Sequence, residues 1–139
     1  PDKLYKNLVK TKVIFFDILS TKAKQLGFCM EYADGKKLTC CGDEPYNECE
    51  QKYAVNSTWL LHEAFCLFSQ ADKFKPYEKH HSTVKDACQL AQELNVDNLI
   101  LYHTEDKNIS RRKELYTEEG REYYKGNLLI PDDLETFEL

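Results

Sequence analysis

Apolar residues in this chain come in short runs, and each run stops abruptly at polar groups. KVIFFDI (12–18) reads as a strand. FCMEYA (28–33) and KKLTCC (36–41) flank Asp34-Gly35 and predict a hairpin. Its turn is expected to be type I′, with positive φ at both central residues. TWLLH (58–62) and NLILY (98–102) have the length and apolar content of buried strands. Between them Val84, Ala87, Cys88, Ala91 and Leu94 recur at helical spacing on one face, which predicts a helix over 83–94. Ser82 or Thr83 would cap it, and Thr83-x-x-Asp86 has the form of a capping box with a shortened carboxylate. Strand, helix and strand in this order predict a right-handed βαβ unit with parallel strands. Residues 110–124 form a charged, aromatic helix candidate weakened by Gly120. GNLLIPDDLETFEL (126–139) predicts two short strands around a Pro131-Asp132-Asp133 turn.

A length of 139 residues fits one domain or part of a larger one. Hydrophobic residues make up 42% of the chain, with nine Tyr and seven Phe, enough for a core and against global disorder. The net charge of −5 argues against a surface that coats nucleic acid nonspecifically. No apolar run is long enough to span a membrane, and PDKLYKNLVK lacks the layout of a signal peptide, so a cytoplasmic protein is expected. Cys29, Cys40 or Cys41, Cys66 and Cys88 lie in apolar segments and read as buried free thiols. Cys40, Cys41 and Cys49 lack the paired C-x-x-C elements of a zinc cluster. Thiol chemistry at Cys40 and Cys41 is a further possibility.

The polar stops are where chemistry gathers. KKLTCC ends in Gly42-Asp43, TWLL in His62-Glu63, and LILY in His103. In α/β sheets the carboxyl ends of strands collect reactive groups. The helix opening at Ser82 starts near that same edge, and its N-terminus suits an anion such as phosphate. His80 or His81 would point into the same crevice. One Asp, one Glu and up to three His form a donor mixture suited to zinc, iron or manganese. Each residue alone has a plain structural explanation, as a turn, a hydrogen-bond partner or a cap. Their coincidence at one edge carries the functional reading.

In order, CCGDE, LLHEAF, HHST and LILYH resemble the second half of the metallo-β-lactamase fold. The resemblance is closest to the ribonuclease Z (tRNase Z)-like branch and covers roughly residues 12–105. It implies an α/β fold: half of an αββα sandwich, with a mixed sheet and helices on one side. Residues 1–139 would then be the C-terminal half of a single domain. The implied activity is that of a metal-dependent hydrolase, a phosphodiesterase acting on RNA or a small nucleotide. The implied cofactors are two divalent metal ions, zinc first with manganese or iron as alternatives, holding a hydroxide between them. Asp43 and His103 correspond to metal ligands, Asp43 bridging the two ions. Glu63 and His81 correspond to the catalytic pair, His81 contacting the phosphate or the leaving group. Ser82 and Thr83 correspond to the cap, with N–H groups offered to the phosphate. His62 corresponds to a packing or supporting residue behind the ligands, and His80 to a surface residue.

Two departures bear on activity. The metal motif His-x-His-x-Asp-His is absent, as expected if it belongs to an N-terminal half outside this chain. Leu19 stands where the branch carries a further histidine ligand. Asp43 and His103 alone are too few for a stable zinc site. The chain by itself is therefore expected to be inactive. It is expected to pair with the missing half, or to form a homo-oligomer, through an exposed apolar sheet face. The alternative is a non-catalytic binding or assembly module that has lost metal ligands.

Overall fold

The computed structural model describes residues 11–138. Six strands form one sheet in the order β1-β2-β3-β4-β5-β6. They are β1 (Lys12–Asp17), β2 (Leu26–Glu31), β3 (Lys37–Cys40), β4 (Trp59–Glu63), β5 (Asn98–Tyr102) and β6 (Asn127–Leu129). β1, β2 and β3 pair antiparallel, whereas β3 to β6 run parallel. The helices are α1 (Gln51–Ala54), α2 (Ala71–Phe74), α3 (Val84–Glu93) and α4 (Arg112–Arg121). The mixed sheet with helices on one side is the architecture the resemblance implies.

Register explains the core. Thr39, Leu60, Leu99 and Leu128 stand side by side on neighbouring strands, so their side chains share one face. On that face Leu60, Leu99, Leu101 and Leu128 pack with Val84, Ala87, Cys88, Ala91 and Tyr116. The predicted helix stripe is thus the stripe that is buried. On the opposite face Val13 and Phe15 are exposed, and Phe28, Met30, Trp59 and Leu61 are half-buried. The sheet therefore presents an apolar surface away from its helices.

The start of α3 follows the sequence. Thr83 Oγ1 accepts the Asp86 N–H at 3.3 Å, and Asp86 Oδ2 accepts the Thr83 N–H at 2.8 Å, completing the capping box. Thr83, not Ser82, is the cap. Three expectations need correction. The hairpin turn is not type I′: only Gly35 takes positive φ (+86°), and the turn is closed by the Gly35 N–H donating to the Tyr32 carbonyl at 3.0 Å and the Tyr32 N–H to the Lys36 carbonyl at 2.9 Å. The helix expected over 110–124 is shorter: a 3-10 turn at Ile109–Arg111 leads into α4, which ends at Arg121. Beyond Pro131 no strand forms among the described residues. Asp132 accepts from Arg112, and Glu135 binds both the Asp132 N–H at 2.8 Å and Lys113 at 2.6 Å. These contacts hold the tail in a turn against α4.

All six cysteines are free, with Cys29, Cys41, Cys66 and Cys88 buried. Cys40, Cys41 and Cys49 do not converge as a metal-binding group among the described residues. No helix among those residues is long and apolar enough to cross a membrane.

Candidate metal and hydrolytic site

Because β3, β4 and β5 are parallel, the residues that follow them meet at one edge. Asp43 comes off β3 through Gly42, whose φ is +76°. A Cβ there would lie 2.5 Å from Ile18 Cδ1, so any other residue would combine a strained left-handed backbone with a shift of Ile18. The Asp43 loop is secured from below. Asn47 Nδ2 donates to the Ile18 carbonyl at 2.9 Å and to Glu50 Oε1 at 2.8 Å.

Glu63 closes β4 and is fully buried. Its Oε1 accepts the Ser82 N–H, and its Oε2 lies 3.6 Å from His81 Nδ1. Burial pushes the Glu63 carboxyl up to about 7; the Asp43 charge adds to this, while hydrogen bonds from Ser82 oppose it. His81 Nδ1 is also 3.8 Å from Asp43 Oδ1, and its side chain is only 8% exposed. Burial holds the imidazole below its ordinary range, helped by positive charge at His103 and Lys22 and opposed by Asp43 and Glu44. A carboxyl that ionises near neutrality beside an imidazole kept neutral is an arrangement suited to moving a proton.

His103 follows β5 with φ +53°, a left-handed conformation unusual for a histidine. Neighbours hold it there: the Glu105 N–H donates to the Phe65 carbonyl at 2.7 Å, and Arg112 Nη1 donates to Thr104 Oγ1 at 2.8 Å. His103 Nε2 then lies 3.1 Å from Asp43 Oδ1. One donor atom each from Asp43, His81 and His103 falls within 4.8 Å of the others. Asp43 Oδ1 and His81 Nδ1 are buried without a hydrogen-bond partner. Carboxylate and imidazole donors left open toward a common point fit a divalent cation.

No family model matches the chain. Ribonuclease Z of Bacillus thuringiensis is 32% identical to it over 103 residues, 74% of this chain and 33% of the relative. Among solved structures, the metallo-β-lactamase fold protein YhfI of Bacillus subtilis superposes with a TM-score of 0.70 at 14% identity, covering 88% of this chain and 47% of that one. Human tRNase Z, short form, gives a TM-score of 0.67 at 21% identity, covering 91% and 42%. This chain carries part of a metallo-β-lactamase fold, and its sequence is similar to ribonuclease Z. It spans about a third of the length of the curated relatives it matches.

On this metallo-β-lactamase scaffold the sequence-derived candidates separate into two groups. Asp43, Glu63, His81 and His103 come together, and His81 lies within reach of the same cation position as Asp43 and His103. Ser82 and Thr83 are adjacent, but their N–H groups are already accepted by Glu63 and Asp86, so neither is offered to an anion. His62 lies behind the edge, fully buried, with Nδ1–H donated to the Glu63 carbonyl at 2.7 Å. Burial keeps it below its ordinary pKa, so its ring is neutral. His80 is exposed and ends a helical turn in the left-handed conformation. Leu19 is exposed at φ +56°; its neighbour Ser20 donates to Glu44 at 2.7 Å, which brings this loop beside Asp43.

Sequence reasoning missed two contributors. Phe65 stacks on His81 with ring centroids 5.2 Å apart and stands 6.3 Å from His103. Its position two residues beyond Glu63 was the available signal. Tyr102 donates its hydroxyl to the Gly42 carbonyl, tying β5 to the bend that presents Asp43. Nothing in the local sequence pattern marks that contact.

Proposed function

We propose that the complete protein is a metal-dependent phosphodiesterase of the ribonuclease Z kind, and that this chain supplies the C-terminal part of its centre. The observation that carries the reading is the convergence of Asp43, His81 and His103 on one point, with Glu63 behind His81. Asp43 and His103 would hold divalent metal, zinc first with manganese or iron as alternatives. A second ion would need donors from the rest of the fold. Bound metal would act as a Lewis acid on a phosphoryl oxygen and lower the pKa of a coordinated water. Glu63 and His81 would handle the proton passed to the leaving oxygen, Glu63 setting the orientation and protonation of the imidazole.

The apolar sheet face lined by Val13, Phe15, Phe28, Met30, Trp59 and Leu61 would seat the other half of the sandwich, so this chain alone is expected to be inactive. Six free thiols support a reducing compartment, consistent with a cytoplasmic enzyme. The substrate class is RNA or a small nucleotide diester. Leu19 favours a second reading, a non-catalytic assembly module, because a leucine cannot ligate metal.

Metal analysis of the full-length protein, paired with hydrolysis of a precursor tRNA and of a small nucleotide diester, separates these readings. The enzyme reading expects bound zinc or manganese and cleavage that a chelator abolishes. A folded, full-length protein that holds no metal and cleaves neither substrate would sink it and leave the module.

A further inference from the structure

We propose that Phe65 and Lys79 form a nucleoside subsite beside the metal centre, in which the base stacks on Phe65 and the phosphate meets the Lys79 ammonium. The location rests on the phosphodiesterase reading; the binding chemistry stands on its own observations. The Phe65 backbone is pinned. Its N–H donates to the Ser82 carbonyl at 2.9 Å, and its own carbonyl accepts the Glu105 N–H at 2.7 Å and the Tyr116 hydroxyl at 3.0 Å. The ring is positioned by His81 and by the edge of Phe74, 6.4 Å away at 86°. Yet this apolar ring stays half-buried where the core residues around it are fully buried.

What lies over the ring is a cation. Lys79 Nζ stands 4.9 Å from its centroid, and among the described residues Lys79 forms no ion pair with a carboxylate. An ammonium on an aromatic face, free to swing because its stem is exposed, leaves room for a flat ligand that brings its own anion. A nucleotide meets both demands: its base replaces the ammonium on the ring, and its phosphate keeps the ammonium as partner. The N–H groups of Ser82 and Thr83 are committed to Glu63 and Asp86, so a side-chain cation is the group left to meet the phosphate at this end of the site. In a chain with a net charge of −5, such a local cation also selects where an anion can approach.

The test is calorimetric titration of the full-length, metal-loaded protein with AMP, UMP and ribose 5-phosphate. AMP should bind about tenfold more tightly than ribose 5-phosphate, with UMP between them, since stacking grows with ring area. Phe65→Leu should collapse the AMP preference to within about twofold and Phe65→Tyr should keep it. Lys79→Met should weaken all three ligands alike, by up to about fivefold. Equal affinity of the wild-type protein for the three ligands overturns the proposal, as does a Phe65→Leu protein that keeps the preference. If Phe65→Leu does not fold, the order among the three ligands on the wild-type protein decides. A protein that shows the preference but cleaves no diester overturns the phosphodiesterase reading and leaves the subsite standing.

Discussion

Replacing Glu50 with glutamine tests the electrostatics beneath the Asp43 loop. Glu50 is fully buried, and burial pushes its carboxyl up to about 7 from the ordinary 4.5, against the pull of hydrogen bonds from Cys41 and Asn47. The folded state therefore holds this proton over a pH range in which the unfolded chain has released it. The stability that this proton contributes is complete below the unfolded pKa and is lost as pH rises through the folded value. At about 1.4 kcal/mol per pKa unit, the shift corresponds to roughly 3 kcal/mol across that window. Glutamine keeps the carbonyl that Asn47 needs and cannot ionise. Glu50→Gln should match the wild-type protein near pH 5 and exceed it by up to about 3 kcal/mol near pH 9. Urea unfolding of the full-length protein, followed by tryptophan fluorescence across that range, measures the difference. Glu63 has a similar upward shift, but it is present in both proteins and cancels. A stability difference independent of pH, or none at any pH, would refute the reasoning.

Other substitutions probe the centre and its supports. On the phosphodiesterase reading, Asp43→Asn and His103→Ala in the full-length protein should each lower the bound metal, measured by metal analysis, and lower kcat/KM by at least about 100-fold. Gly42→Ala should cost about 1–3 kcal/mol in thermal or urea unfolding, because the new methyl meets Ile18 at positive φ, and should also weaken metal binding by moving Asp43. Thr83→Ala removes one side of the capping box and should cost about 1–2 kcal/mol, read from the same unfolding curves. An unchanged midpoint in the Thr83 variant would mean that α3 is held by packing alone.

Much of the α/β frame was legible because its signals are local. The stripe of Val84, Ala87, Cys88 and Ala91, with the Thr83–Asp86 cap, marks one helix unambiguously, and that helix is buried as its spacing requires. The polar stops after three strands were legible for the same reason: a parallel sheet turns strand ends into neighbours, so Asp43, Glu63 and His103 could be placed together from order alone. What escaped depends on contacts distant in sequence. The tail beyond Pro131 has strand-like residues, but the cations of α4 capture Asp132 and Glu135 first. The N–H groups of Ser82 and Thr83 look available in the sequence, yet the Glu63 carboxylate accepts one from across the fold. Phe65 is an ordinary apolar residue until His81 and His103 are seen around it.

The strand order has a consequence for how the site comes into being. Each strand pairs with the one before it in the chain, so the sheet can grow by addition, without waiting for a distant segment to return. In chain order Asp43 follows β3, Glu63 closes β4, and His81 stands just before α3. His103 comes last, behind β5, so the candidate cation position gains its full set of donors only where β3, β4 and β5 are all in place.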